Sequence, residues 1–363
     1  MKRKLVLQDG HVFEGESFGS LEEKVAELVF NTSVVGYQEI LSDPSYCGQF
    51  VCMSYPLIGN YGLTEEDYES KGVFMSGFIV NEYNDNPSNF RYTTTLGEVM
   101  KEKGCVGISQ IDTRELVRVI REKGSMLAMI CDLDKDNNEV ISYLNNYKIP
   151  NDQVKTVSSK KFWYSRTKNP KYNIVAVDCG MKLNIVRKLN ALSCNVIVVP
   201  YDVDFKTIMK HKPDGLFISN GPGDPENVKE VISLVKEARG KLPILGICLG
   251  HQIIGLACGA KTYKMKFGHR GSNHPVMNLE TGKVEITSQN HSYAIDKNSL
   301  EGSGLSLTHI NLIDQEAEGM EDKENGIISV QYHPESAAGP EDSEYIFSRY
   351  LKVIDEFGGK KNA

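Results

Sequence analysis

What this sequence lacks narrows its function before any motif is considered. Its eight cysteines, at positions 47, 52, 105, 131, 179, 194, 248 and 258, form no Cys-x-x-Cys pair, so neither a zinc knuckle nor a dithiol redox motif is indicated. Positive charge is not in excess. A formal net charge of -7 and the absence of a basic stripe argue against a nucleic-acid partner, because phosphates require a basic face. No apolar run reaches the length of a membrane span, and the basic start Met1-Lys2-Arg3-Lys4 leads into a stretch that Gln8-Asp9-Gly10 ends far short of a signal-peptide core. A cytoplasmic location is the resulting expectation. A P-loop pattern is missing, which leaves the chain without an obvious ATP site of its own, and no metal cluster is indicated. Internal repeats and low-complexity segments are absent as well.

What is there divides the chain in two. A length of 363 residues exceeds one typical domain, and 40% hydrophobic with 25% charged residues describes a globular protein with ample core. Residues 1–150 mix turns with short β-like runs at 4–7, 26–30, 50–54 and 126–131. One helix stands out there. Asp112 can cap it, Glu115 completes a capping box, Leu116, Val119 and Ile120 make a buried stripe, and Gly124 stops it. This half offers no paired acid and base, so its composition suits a binding or structural domain. Residues 151–171 lose apolar periodicity and carry many basic and polar residues, which reads as a linker pinned by Trp163 and Tyr164.

From residue 172 to 358 strands and helices alternate. Buried strands are expected over 173–178, 195–200, 215–219 and 243–247, with helices over 182–192 and 226–238. Later strands over 284–288, 305–311 and 327–331 and a closing helix over 343–355 complete the pattern. The fold class expected is α/β: a mostly parallel open sheet flanked by helices, preceded by a mixed, β-rich α+β domain. In such sheets ligands sit beyond the carboxyl ends of the strands.

Gly246-Ile247-Cys248-Leu249-Gly250 falls at one of those ends, where an apolar strand turns into a helix. Glycines two residues either side of a cysteine allow a strained turn that pushes the side chain into the open and lets backbone N–H groups face a substrate. The positive end of the following helix favours thiolate over thiol. A cysteine nucleophile needs a base, and the base needs an orienting group. His333-Pro334-Glu335 offers both, since in an extended segment residues two apart project to the same side. An oxyanion hole is available from the N–H of Leu249 and from Asn220-Gly221-Pro222-Gly223-Asp224-Pro225, which follows the 215–219 strand. Cys179 and Cys258 lack the flanking glycines and read as core. His269 and Asn273-His274-Pro275-Val276 read as shaping a loop. A free-standing cysteine hydrolase acting on some other amide or ester fits these residues as well.

Three motifs in order, Gly246-Ile247-Cys248-Leu249-Gly250-His251-Gln252 with Asn220 to Pro225 upstream and Gln331-Tyr332-His333-Pro334-Glu335 downstream, resemble the class I (triad) glutamine amidotransferases. Asn31-Thr32-Ser33, Gly36-Tyr37-Gln38-Glu39-Ile40-Leu41, Asp43-Pro44-Ser45-Tyr46 and Ile111-Asp112-Thr113-Arg114 resemble the N-terminal domain of carbamoyl-phosphate synthase small subunits. The N-terminal half thus selects among the synthases that use such a glutaminase. The resemblance implies a catalytic triad of Cys248, His333 and Glu335, with L-glutamine held by Ser45, Gly221, Gly223, Leu249, Gln252, Asn290, Ser292 and Tyr293. Asn290-His291-Ser292-Tyr293 departs from the usual Asn-His-Gly-Phe, and a backbone contact survives that change. The resemblance further implies no cofactor in this chain and a heterodimer with a large subunit. That subunit would carry ATP and magnesium and make carbamoyl phosphate from bicarbonate and ammonia, for arginine synthesis, pyrimidine synthesis or both.

Overall fold

Apolar residues in the first 150 positions line a closed barrel of seven strands. The computed structural model describes residues 1–362 and divides them into two compact units, one comprising Met1–Pro150 with Lys266–Arg270 and the other the remainder. The barrel strands of the first unit are β1 (Lys2–Leu7), β2 (Val12–Gly19), β3 (Lys24–Asn31), β4 (Gln49–Met53), β5 (Gly77–Ile79), β6 (Val106–Ser109) and β7 (Met126–Asp132). They run in the order β1-β2-β6-β5-β4-β3-β7, and β7 pairs back onto β1, so no edge remains open. Helix α1 (Thr113–Lys123) lays Leu116, Val119 and Ile120 into the cluster that holds Leu5, Leu28 and Phe50. Asp112 caps it as expected, its carboxylate accepting from the Glu115 N–H at 2.9 Å, and Gly124 ends it at φ 99°; the Glu115 carboxylate pairs with Arg118 at 2.5 Å rather than completing a capping box.

The second unit is a three-layer α/β structure around one ten-stranded sheet. Its strands are β8 (Trp163–Ser165), β9 (Tyr172–Asp178), β10 (Cys194–Pro200), β11 (Gly215–Ile218), β12 (Ile244–Ile247), β13 (Thr262–Asn278), β14 (Val284–Ile295), β15 (Ser306–Asn311), β16 (Ala317–Asp322) and β17 (Ile327–Val330). The order across the sheet is β8-β10-β9-β11-β12-β17-β16-β15-β13-β14. The five strands from β10 to β17 are mutually parallel. Beyond β17 the sheet continues antiparallel through β16, β15 and β13, and β8 joins the other edge antiparallel to β10.

The continuous apolar runs of the parallel strands are explained by burial on both faces. Val175 and Val177 face one core with α3 (Lys229–Ala238) and α4 (Leu249–Ala257). Ile174 and Ala176 face the other, with α2 (Leu183–Ala191) and α5 (Tyr345–Asn362). Among the described residues no helix is long and apolar enough to cross a membrane.

Residues 151–171 are not a free linker. A short helix, Gln153–Val157, puts Val154 into the core, and β8 adds an edge strand to the sheet. Polar anchors replace the missing apolar period: the Asp178 carboxylate accepts from the Ser159 N–H at 3.0 Å and from its hydroxyl at 2.5 Å. The expected loop at Asn273-His274-Pro275-Val276 lies instead within the 17-residue strand β13.

Candidate active site

Four loops leave the carboxyl ends of neighbouring parallel strands, and each delivers one component of the site. β12 ends at Cys248, which adopts φ 54° and ψ -105°, a conformation rarely open to a residue with a side chain. The turn closes so tightly that only glycine fits on either side. A Cβ on Gly250 would lie 2.2 Å from the Ile218 carbonyl oxygen, and one on Gly246 would lie 2.5 Å from Ile254 Cδ1. Leu249 opens α4, so its N–H is one of the donors that a helix N-terminus leaves unpaired.

The elbow does not push the thiol into open solvent, as the sequence suggests it should. Cys248 is 2% exposed, and its Sγ lies 3.5 Å from the Asn290 carbonyl oxygen on β14. The reason is that β14, expected only over 284–288, runs on to Ile295 and places Asn290 beside the elbow.

His333 comes from the adjacent strand end. The Cys248 N–H donates to the Val330 carbonyl at 2.9 Å, which sets the two strand ends side by side, and the His333 N–H donates to the Ser288 carbonyl on β14 at 2.9 Å. His333 Nδ1 and Glu335 Oε1 are 2.7 Å apart. Nε2 has no nitrogen or oxygen partner, which leaves it for the neighbouring thiol. Burial alone would hold this ring neutral. The charges of Glu335 and Cys248 outweigh it and raise the His333 pKa, so the imidazolium form is favoured.

A fourth component was not visible in the sequence. Lys182, at the end of the turn after β9, is buried and places its Nζ 3.0 Å from Glu335 Oε1 and 2.9 Å from the Ser336 carbonyl oxygen. Glu335 is itself completely buried, and burial would raise its pKa. Lys182 and His333 together outweigh that and lower it, so the carboxylate stays ionised. Nothing around Lys182 in sequence marks it, because its partner is more than 150 positions away.

The loop after β11 completes the arrangement. The Asn220 side chain accepts from the Lys182 N–H at 3.1 Å and donates to the Gly180 carbonyl at 3.0 Å, tying this loop to the one after β9. A Cβ on Gly221 would meet the Cys179 carbonyl oxygen at 2.1 Å, so glycine alone lets the backbone sit there. Gly223 has φ 87°, a left-handed conformation that suits glycine. Cys179 is fully buried and its pKa is raised by that burial, which makes it an inert core thiol.

Of the residues expected to hold glutamine, Gln252 lies one turn into α4, and Asn290, Ser292 and Tyr293 lie on β14. The Gln252 amide nitrogen donates to the Tyr293 carbonyl oxygen at 2.7 Å, which joins helix and strand at the site. Ser45 belongs to the first unit, in the turn Pro44–Tyr46, where its N–H is held by Asp43 at 2.8 Å. His291 next to Asn290 has Nδ1 2.8 Å from the Tyr293 carbonyl oxygen and Nε2 2.6 Å from Gln289 Oε1.

Comparison with known proteins decides what this site belongs to. Residues 175–353 match the family model for class I glutamine amidotransferases, and residues 5–130 match that for the carbamoyl-phosphate synthase small chain. The carbamoyl phosphate synthase small chain of Bacillus caldolyticus is 52% identical over 360 residues, covering 99% of this chain and 98% of that one. The chain belongs to the carbamoyl-phosphate synthase small-chain family. The pyrimidine-specific small chain of Bacillus subtilis (strain 168) is 50% identical over 98% of this chain and 96% of its own length. The small chain of Fusobacterium nucleatum is 49% identical over 97% and 98% respectively. Family membership makes this an enzyme subunit, a glutamine-hydrolysing amidotransferase, and the α/β class expected from sequence holds.

Proposed function

We propose that this chain is the glutaminase subunit that supplies ammonia to a large, ATP-using carbamoyl-phosphate synthase subunit, with Cys248 as nucleophile, His333 as acid and base, and Glu335 as orienting group. The observation that carries the reading is the buried alignment of Cys248, His333 and Glu335 at adjacent strand ends, with His333 Nδ1 on the carboxylate and Nε2 left for the thiol.

The chemistry follows from that alignment. The Cys248 thiolate attacks the side-chain amide carbon of L-glutamine, and the resulting oxyanion is met by the N–H groups of Gly221 and Leu249. Protonated His333 gives its proton to the departing nitrogen as the C–N bond breaks, which releases ammonia and leaves a glutamyl thioester. Neutral His333 then takes a proton from water, the hydroxide opens the thioester, and glutamate leaves with the thiolate restored. Throughout, Glu335 stabilises the charged ring, and Lys182 keeps Glu335 ionised in a buried position where it would otherwise take up a proton. Gly223, Gln252, Asn290, Ser292 and Tyr293 position the glutamine, the last two through backbone groups.

Ammonia released into neutral water would largely become unreactive ammonium, so it has to pass in an enclosed path to the partner, which binds ATP and magnesium and consumes bicarbonate. This chain then needs no cofactor, works as one half of a heterodimer in the cytoplasm, and serves a first step of pyrimidine or arginine synthesis. The name of the Bacillus subtilis relative favours the pyrimidine route. Rapid acid quench of enzyme with L-glutamine, followed by intact mass measurement, tests the mechanism. A glutamyl adduct on Cys248 is expected, and its absence under turnover would refute covalent catalysis.

A further inference from the structure

Asp178 ends β9 with a buried carboxylate, and both of its oxygens are taken by backbone donors. Oδ1 accepts from the N–H groups of Gly180 at 2.9 Å and Met181 at 2.8 Å, and Oδ2 accepts from the Ser159 N–H at 3.0 Å and its hydroxyl at 2.5 Å. One side chain thus ties the turn that leads into Lys182 to the segment that begins this unit at Asn151. Packing repeats the connection. Gly180 has φ 120°, and a Cβ there would lie 2.9 Å from Val157 Cγ2 and 3.1 Å from Pro222 Cδ, so the turn is wedged between the short helix Gln153–Val157 and the loop that carries Gly221. A Cβ on Gly223 would lie 3.0 Å from Gln153 Oε1. Trp163 on β8 holds Ser159 from its other side, its indole N–H donating to the hydroxyl at 3.2 Å.

We infer that Asp178 is a positioning residue for the catalytic triad: it holds residues 180–182 so that Lys182 reaches Glu335, and through Ser159 it makes that placement depend on the seating of residues 151–165. This rests on the glutaminase reading above. The linkage is a chain of direct contacts, from Ser159 to Asp178, from Asp178 to the Gly180 and Met181 N–H groups, from Lys182 Nζ to Glu335 Oε1 at 3.0 Å, and from there to His333 Nδ1 at 2.7 Å. Only a carboxylate completes it. An amide offers one oxygen and one NH2 group, so whichever way it turned, backbone N–H groups on one side would face a donor. The charged groups facing Glu335 are Lys182 and His333, so a displaced Lys182 leaves the carboxylate easier to protonate.

The test uses the full chain in complex with its large subunit and measures kcat and KM for L-glutamine against pH. Absence of any glutamine hydrolysis by wild type would sink the glutaminase reading itself and is seen before any variant is compared. Asp178→Asn should lower kcat by about 10- to 100-fold, the range lost with one hydrogen bond to a charged group, and leave KM near the wild-type value. The acid limb of its kcat profile should move to higher pH, because Glu335 takes up a proton more readily. Ser159→Ala removes only the hydroxyl and should lower kcat by about 2- to 10-fold, whereas Ser159→Thr keeps a hydroxyl and should stay near wild type. A folded Asp178→Asn enzyme whose kcat is unchanged, whose loss lies in KM, or whose acid limb stays in place overturns the inference. Should Asp178→Asn fail to fold, the Ser159 variants decide: lower kcat in Ser159→Ala with recovery in Ser159→Thr supports the inference, and equal kcat in the two overturns it.

Discussion

Replacing Glu335 with glutamine removes one charge from a buried group of three while keeping the shape of the side chain. In the wild type Glu335 Oε1 lies 2.7 Å from His333 Nδ1 and 3.0 Å from Lys182 Nζ, with Glu335 fully buried and the Lys182 side chain 6% exposed. After Glu335→Gln the amide oxygen can still accept from one of these, but Lys182 loses its carboxylate partner and His333 loses the charge that favours its protonated form. Two separate costs follow. Breaking a buried ion pair from one side should destabilise the fold by about 3 to 5 kcal/mol. Loss of a hydrogen bond to a charged group should lower kcat/KM by about 10- to 100-fold, because the ring stays in place but is no longer held in its tautomer. His333→Asn removes the proton carrier itself and should cost about 100- to 10,000-fold. Denaturant unfolding and glutamine hydrolysis, measured on both variants, separate the effects. Adding Lys182→Met to Glu335→Gln should recover part of the lost stability by removing a buried cation that no longer faces a carboxylate. A folded Glu335→Gln enzyme as inactive as His333→Asn would show that Glu335 does more than orient, and the assignment of roles would be wrong.

Other outcomes follow from the same geometry. Gly221→Ala places a Cβ within 2.1 Å of the Cys179 carbonyl oxygen, so the loop must shift; kcat should fall by about 100- to 1,000-fold, as on loss of an oxyanion donor, and unchanged kcat would remove Gly221 from that role. Burial pushes the pKa of His251 down to about 3 and that of His309 to about 4, whereas both titrate near 6.5 when unfolded. Over that interval the unfolded chain binds the extra protons, so stability should fall as pH drops below about 6.5, and His309→Gln should flatten the slope by about 1.4 kcal/mol per pH unit. His333 has the opposite sign. Its raised pKa of about 10 gives a contribution present below about 6.5 that fades as pH rises toward 10, and His333→Asn should remove that alkaline decline.

Much of this was legible in the sequence because the relevant signals are local. The strands entering Cys248 and following residue 172 are unbroken apolar runs buried on both faces, and Asp112 and Gly124 mark a helix by capping alone. The elbow is legible because glycine is forced by contacts within a few residues of Cys248 and with the adjoining strand. Strand β13 was missed because Lys264, Lys266, His269 and Arg270 give it neither an alternating nor a continuous apolar pattern. The 151–171 segment read as a linker because two isolated buried valines, Val154 and Val157, and hydrogen bonds to Asp178 hold it down without a regular apolar period. Lys182 acts through Glu335, a partner distant in sequence, and no spacing rule reports such a pair.

The most direct test of the central claim uses Cys248→Ser in the chain assembled with its large subunit, measuring carbamoyl phosphate formed first with L-glutamine and then with high ammonium. A serine hydroxyl is far less ionised than a thiol near neutral pH, so glutamine-dependent synthesis should fall to background. Synthesis from ammonium should persist, since the fraction present as neutral ammonia bypasses the glutaminase. Retention of glutamine-dependent synthesis would remove Cys248 from the mechanism, and loss of both activities in a properly assembled complex would contradict the division of labour between the subunits.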